Sequence, residues 1–225
     1  MKGSFVVRFW FVQNGIESRE IYKMNRILGL LLSLIVVLTS PVIHAEETPA
    51  ELVKSTTALV LDRVQRDKSI LEANPKEMLN LVSEYIFPFF DFHIISKWVL
   101  GKAWVSADDE SRAIFIDQFR KLLVRTYATA LLQFSDQTIE YPEVKQKAGS
   151  RAVVVRQVIN TPNMKAIPIV YRLYQKAGAW KVFDVSVDGV SLVKTYRASF
   201  GSLITNKGLD GLIEILQEKN AGFSR

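Results

Sequence analysis

Trp180-Lys181-Val182-Phe183-Asp184-Val185-Ser186-Val187-Asp188-Gly189 is a run of β-branched and aromatic residues closed by an Asp-Gly pair. Its composition predicts a strand over 180–187, and Asp188-Gly189 predicts a tight turn, because both residue types tolerate turn conformations. Three runs of the same kind precede it, at 138–146, 151–159 and 165–174, separated by Ala148-Gly149-Ser150, Thr161-Pro162-Asn163 and Lys176-Ala177-Gly178. Four strands joined by such short connections predict an antiparallel meander. Strict alternation would put Ile167, Ile169, Tyr171 and Leu173 on one face of the third strand, and Phe183, Val185 and Val187 on one face of the fourth.

Outside this block the period changes. Downstream of Gly189, Leu192, Val193, Tyr196 and Phe200 recur at helical spacing, and a last helix carries Leu209, Leu212, Ile213, Ile215 and Leu216. Upstream, Thr48-Pro49-Ala50-Glu51 is a capping box with proline at the first helical position, followed by Leu52, Val53, Thr56, Leu59, Val60 and Val64. Asn74-Pro75-Lys76-Glu77 opens a second helix that Pro88 must end, and Asp91 caps a third that stops at Gly101. Ser106-Ala107-Asp108-Asp109 opens the longest, whose apolar stripe runs from Ile114 and Phe115 to Leu131 and Phe134. Helices segregated around one four-stranded antiparallel sheet make an α+β domain.

With 48% hydrophobic and 23% charged residues in 225, the chain has the composition of a globular protein rather than a disordered or collagenous one. Its 29 Lys and Arg exceed its 23 Asp and Glu by six. Five of the basic and two of the acidic residues precede Glu46, which leaves 24 against 21. That mild balance gives no footprint for nucleic acid. The early segment reads as a leader: Met24-Asn25-Arg26, an apolar run over 27–38, then Thr39-Ser40-Pro41 and a small residue at Ala45. The run is shorter than the roughly 20 residues that span hydrocarbon, so 24–45 is expected to be a cleaved signal peptide. Residues 1–23 show no pattern and are expected to be an upstream extension, with Met24 the better start and 46–225 the mature domain.

The catalytic inventory is thin. No cysteine occurs, which excludes thiol chemistry, and His93 is the one histidine after the leader. No GxSxG, HExxH or phosphate-loop motif is present. Asp184 and Asp188 lie about 13 Å apart along a strand, too far for paired carboxylate chemistry. Asp188 reads as turn chemistry, and Asp184, set in an apolar strand, reads as half of a structural salt bridge. What the chain has in quantity is apolar area, including Phe87, Phe89, Phe90 and Phe92 in one short stretch. That area either fills one core or encloses an apolar cavity.

Ile86-Phe87-Pro88-Phe89-Phe90-Asp91-Phe92, Leu100-Gly101-Lys102-Ala103-Trp104, Thr126-Tyr127-Ala128 and above all 180–193, followed by Tyr196-Arg197, resemble the MlaC family of periplasmic phospholipid shuttles, also described as toluene-tolerance auxiliary proteins. Asp188 stands where that family more often has glutamate. The resemblance covers the mature chain and implies a cone like that of nuclear transport factor 2, with an apolar cavity for the acyl tails of a glycerophospholipid. It implies a periplasmic carrier between an outer-membrane lipoprotein complex and an inner-membrane ABC transporter with an MCE-domain subunit, with no reaction catalysed, no metal and no cofactor beyond the bound lipid. The residues expected to line the cavity are Phe119, Leu123, Tyr127, Leu131, Val153, Val155, Ile169, Tyr171, Val182 and Val185. Two other readings stay open: an exported hydrolase of the same architecture, which needs a polar site around His93 and a carboxylate, and a structural envelope protein whose interior is filled by side chains.

Overall fold

The computed structural model describes residues 47–134, 137–144 and 150–221. The expected extension 1–23 and signal peptide 24–45 lie outside these residues. Helix α1 (Pro49–Arg66) starts as its sequence dictates: Thr48 Oγ1 accepts from the Glu51 N–H at 3.2 Å, and Glu51 Oε2 accepts from the Thr48 N–H at 2.9 Å. After the short α2 (Lys68–Ala73), Asn74 caps α3 (Pro75–Tyr85) by accepting from the Lys76 N–H at 3.1 Å. Pro88 then imposes a single 3-10 turn, Phe87–Phe89. Asp91 caps α4 (Phe92–Leu100), which ends at Gly101 with φ +58°; a Cβ there would sit 3.3 Å from Arg197 Nη2. The short α5 (Lys102–Ser106) leads to α6 (Asp109–Leu132), capped by Asp108.

The sheet follows in chain order: β1 (Thr138–Glu140), β2 (Ala152–Asn160), β3 (Ile167–Lys176), β4 (Ala179–Val187) and β5 (Val190–Ser191), each antiparallel to its neighbour. The meander is as expected, with two differences in extent. The first strand keeps three residues of the nine expected, of which 145 and 146 lie outside the described residues. A fifth, two-residue strand follows Asp188-Gly189, whose φ angles of +47° and +83° fold the chain straight back. Helix α7 (Leu192–Asn220) completes the domain; Gly208, at φ +74° and ψ 179°, is non-helical, so the two helices expected here are its two parts, joined at that kink.

One expectation about faces is corrected. Arg172 pairs with Asp184 but Leu173 pairs with Val182, so Phe183 is an extra residue on β4. This bulge turns Phe183 away from Val185 and Val187 and onto the opposite face, where its ring meets Trp98 at 5.3 Å and Tyr174 at 5.9 Å. Val182 and Val185, which regular alternation would place on opposite faces, therefore share one.

Two buried carboxylates fasten helices to the sheet. Asp184 accepts from Arg172 Nη1 at 2.7 Å, from Ser191 Oγ at 2.8 Å and from the Val193 N–H at 3.3 Å, so it anchors the start of α7. Asp91 accepts from the Ile94 N–H, from Tyr174 Oη and from Lys176 Nζ, tying α4 to β3. Burial alone would raise the Asp91 carboxyl, but the bonds from Lys176, Tyr174 and Ile94 outweigh it and hold it at about 2. The Asp91 N–H in turn donates to the Val182 carbonyl at 2.9 Å, so residues beside the 3-10 turn run along β4.

Apolar side chains gather in three clusters. The largest lies between α4, α6 and α7 around Phe115, Phe119, Phe200 and Leu212; a second joins α1, α2 and α3 to α6; a third packs Leu52 and Val53 of α1 on Val155, Leu173 and Val182 of the sheet. No helix among the described residues is long and apolar enough to cross a membrane.

Candidate functional site

The clusters do not fill the interior. Between α1, the C-terminal half of α6 and one face of the sheet lies a cavity of about 370 Å³, within the range of small-molecule sites. Helix α1 contributes Leu52, Val53, Thr56 and Val60, the aromatic stretch contributes Phe87, Phe89, Phe90 and Phe92, and α6 contributes Leu123, Tyr127 and Leu131. The sheet supplies Ile139, Gln157, Ile159, Ile169, Tyr171, Val182, Val185 and Val187. Behind this wall the Arg120 guanidinium stacks over Phe92 at 4.5 Å and Phe87 at 5.5 Å, bracing the aromatic stretch from outside the cavity. Burial lowers the Arg120 pKa.

Exposure along one strand face distinguishes the two ends. On the cavity face of β3, Leu173 is fully buried, Tyr171 and Ile169 are half-buried and Ile167 is 36% exposed. Val190, paired with the lining residue Val187, is 59% exposed. Helix α6 reaches the same end, because it stops at Leu132 and Thr138 pairs with Asn160 soon afterwards. There its cavity residues Tyr127 and Ala130 are exposed. The cavity is thus closed by Leu173, Val155, Leu52 and Val53 and open towards Ile159, Ile167 and the end of α6.

The lining is almost wholly hydrocarbon. Its polar groups are hydroxyls and one amide: Tyr171 Oη donates to Gln157 Oε1 at 2.8 Å, and Tyr127 is pushed up to about 12 by burial and the nearby Tyr196 phenol. Burial likewise drives the Tyr171 phenol far above its ordinary value. No Asp, Glu, His or Ser lines the cavity among the described residues, and no group of His, Asp and Glu that could hold a metal occurs among them. His93 lies on the exposed side of α4, edge-on to Trp104 at 4.9 Å, and is not among the lining residues.

Seven of the ten residues expected to line a cavity do so: Leu123, Tyr127, Leu131, Ile169, Tyr171, Val182 and Val185. Three do not. Phe119 is one turn before Leu123 on α6 and packs in the largest cluster, stacked on Phe115 at 5.5 Å and edge-on to Tyr196 at 5.0 Å. Val155 has the correct strand parity but sits past the closed end, buried against Leu52, Val53 and Leu173. Val153, two residues further along β2, pairs with Leu173. The α1 residues stand outside the expected set although their helical stripe is plain in the sequence, and Phe87, Phe89, Phe90 and Phe92, whose role the sequence leaves open between core and cavity, line the cavity. Gln157 was missed too, and its signal was a polar residue with inward parity.

The family model of the MlaC protein matches residues 54–218. The toluene tolerance protein ttg2D of Pseudomonas putida is 29% identical over 167 residues, 74% of this chain and 77% of that one. The intermembrane phospholipid transport system binding protein MlaC of Haemophilus influenzae is 26% identical over 177 residues, 77% of this chain and 83% of that one. A phospholipid-binding protein from Ralstonia solanacearum, solved in complex with a phospholipid, has a TM-score of 0.71 at 31% identity and covers 78% of this chain and 98% of its own. With the family model spanning most of the chain and the fold shared with a relative of this identity, the chain belongs to the MlaC family.

Proposed function

We propose that this protein is a periplasmic phospholipid carrier: the cavity holds acyl tails, and the head group emerges at the end bordered by Ile159, Ile167 and the end of α6. The observation that carries the reading is a hollow apolar interior, in a chain 31% identical to a protein solved with phospholipid bound. The interior supports this reading over the alternatives. A hydrolase would need a carboxylate and His93 at the cavity, and a filled structural core would leave no such space. Residues Leu123, Tyr127, Leu131, Ile169, Tyr171, Val182 and Val185 are the proposed tail contacts. The proposed partners are an outer-membrane lipoprotein complex and the MCE-domain subunit of an inner-membrane ABC transporter.

Energetics determine how such a carrier works. Withdrawing two tails, about 30 methylenes, from water at roughly 0.8 kcal/mol each stabilises the complex by on the order of 24 kcal/mol gross, beyond the usual ceiling for net non-covalent affinity. Release into water is therefore negligible, and transfer takes place against a membrane or partner where the tails pass from one apolar medium to another. The direction follows the difference in affinity between the two ends of the route.

The test is native mass spectrometry of protein purified without detergent, followed by lipid extraction. A stoichiometric glycerophospholipid adduct is expected in the wild type. Leu123→Arg, whose guanidinium can reach water past the exposed Tyr127, is expected to stay folded and lose the adduct. An unliganded wild type that also fails to load from phospholipid vesicles overturns the proposal.

A further inference from the structure

The Gln157 side chain is the one amide in an otherwise hydrocarbon and hydroxyl lining, and the residue is 3% exposed. Its carbonyl end is held by the Tyr171 hydroxyl at 2.8 Å, while its NH₂ end has no hydrogen-bond partner among the described residues. A donor bordering the cavity in this position is satisfied by whatever fills it, because tails that fill it also expel water. A hydrocarbon tail has no acceptor along its length; the acceptors nearest to it are the ester carbonyl oxygens that join it to glycerol. Depth agrees with this. Ile159 and Ile167 pair at the open end, and Gln157 lies two residues further in, roughly 7 Å at the strand rise. A head group at the rim therefore brings the ester linkages, only a few bonds away, to the level of the amide.

We infer that Gln157, oriented by Tyr171, donates a hydrogen bond to an acyl ester carbonyl of the cargo and makes the cavity selective for ester-linked over ether-linked phospholipids. This rests on the carrier reading. Dispersion and apolar burial treat the two linkages almost alike, so a preference between them isolates a polar contact from tail binding. An ether oxygen is the weaker acceptor and leaves the amide poorly paired.

The experiment loads delipidated protein from vesicles containing equal amounts of diacyl and dialkyl phosphatidylglycerol of matched chain length, and reads the two adducts by native mass spectrometry. The wild type is expected to take up the diester in about three- to tenfold excess, the range of one net hydrogen bond, and Gln157→Leu is expected to bring the ratio near one. Gln157→Met, also without a donor but of similar length, provides the same comparison if leucine fails to pack. A wild-type ratio near one, or a preference undiminished in a folded variant, overturns this inference while leaving the carrier reading intact. A wild type that takes up neither lipid overturns the carrier reading, and the inference with it.

Discussion

The two halves of α6 are built from the same kinds of residue and do opposite things. Phe115 and Phe119 in the first half pack with Phe200 and Leu212 of α7, and Phe119 and Phe200 each meet the other aromatic rings of the cluster, Phe115 and Tyr196, at centroid distances of 5.0 to 5.9 Å. Leu123, Tyr127 and Leu131 in the second half face the cavity. The difference lies in what stands opposite. The first half is covered by α4 and α7, whereas the second packs Val124 against α1 to α3 on one side and on the other faces a cavity whose far wall is the sheet. Hydrophobicity therefore does not identify a binding surface here; the opposing layer does.

Shortening one side chain in each half of α6 separates filled core from cavity wall. Phe119→Ala removes a ring that is 1% exposed and is expected to cost about 3–5 kcal/mol, measured by urea unfolding. A loss below about 1 kcal/mol would mean that the first half is no better packed than the second. Asp184→Ala comes next. It strips partners from Ser191 and the Val193 N–H at the start of α7 and leaves Arg172, itself partly exposed, with Ser186 alone. About 2–3 kcal/mol is expected, with unfolding still cooperative because the α6–α7 cluster is untouched.

Asp91 gives a pH-dependent version of the same fastening. Its folded pKa of about 2 lies below the ordinary 3.8, so the stability it contributes is present above pH 4 and is lost as pH falls through 3.8 towards 2. The shift corresponds to about 2 kcal/mol. Asp91→Asn is expected to lower the wild-type stability at neutral pH and to remove that part of the acid dependence. Parallel acid profiles for the two proteins would show that Lys176 and Tyr174 contribute nothing through this carboxylate.

These contrasts also show which levels of the structure were legible in the sequence. Caps were, because Thr48 with Glu51, Asn74, Asp91 and Asp108 act on backbone donors within three residues, so the signal and the structure are equally local. The meander was, through composition and turn residues. The bulge at Phe183 was not: Phe183, Val185 and Val187 alternate regularly with Asp184 and Ser186 in the sequence, whereas in the fold Phe183 turns to the opposite face and meets Trp98, distant in the chain. The cavity residues were legible by face and not by depth. Val153 and Val155 have the parity of Gln157 and Ile159 but sit beyond the closed end, and Phe119 shares a stripe with Leu123. Depth along an element depends on where its partners cross it, and those crossings are tertiary.

The smallest expected effect tests the comparison most closely. Leu123→Ala removes as much hydrocarbon as Leu→Ala substitutions that cost 2–5 kcal/mol in filled cores, yet its side chain already borders empty volume. Fewer contacts are lost and the new space merges with the old, so less than about 1.5 kcal/mol is expected in the lipid-free protein. With lipid bound the missing side chain no longer meets the tails, so the stabilisation gained on loading is expected to shrink relative to the wild type. Unfolding of both proteins with and without phospholipid separates these terms. A full core-like loss in the lipid-free state would mean that the second half of α6 closes over its cavity when no tail is present.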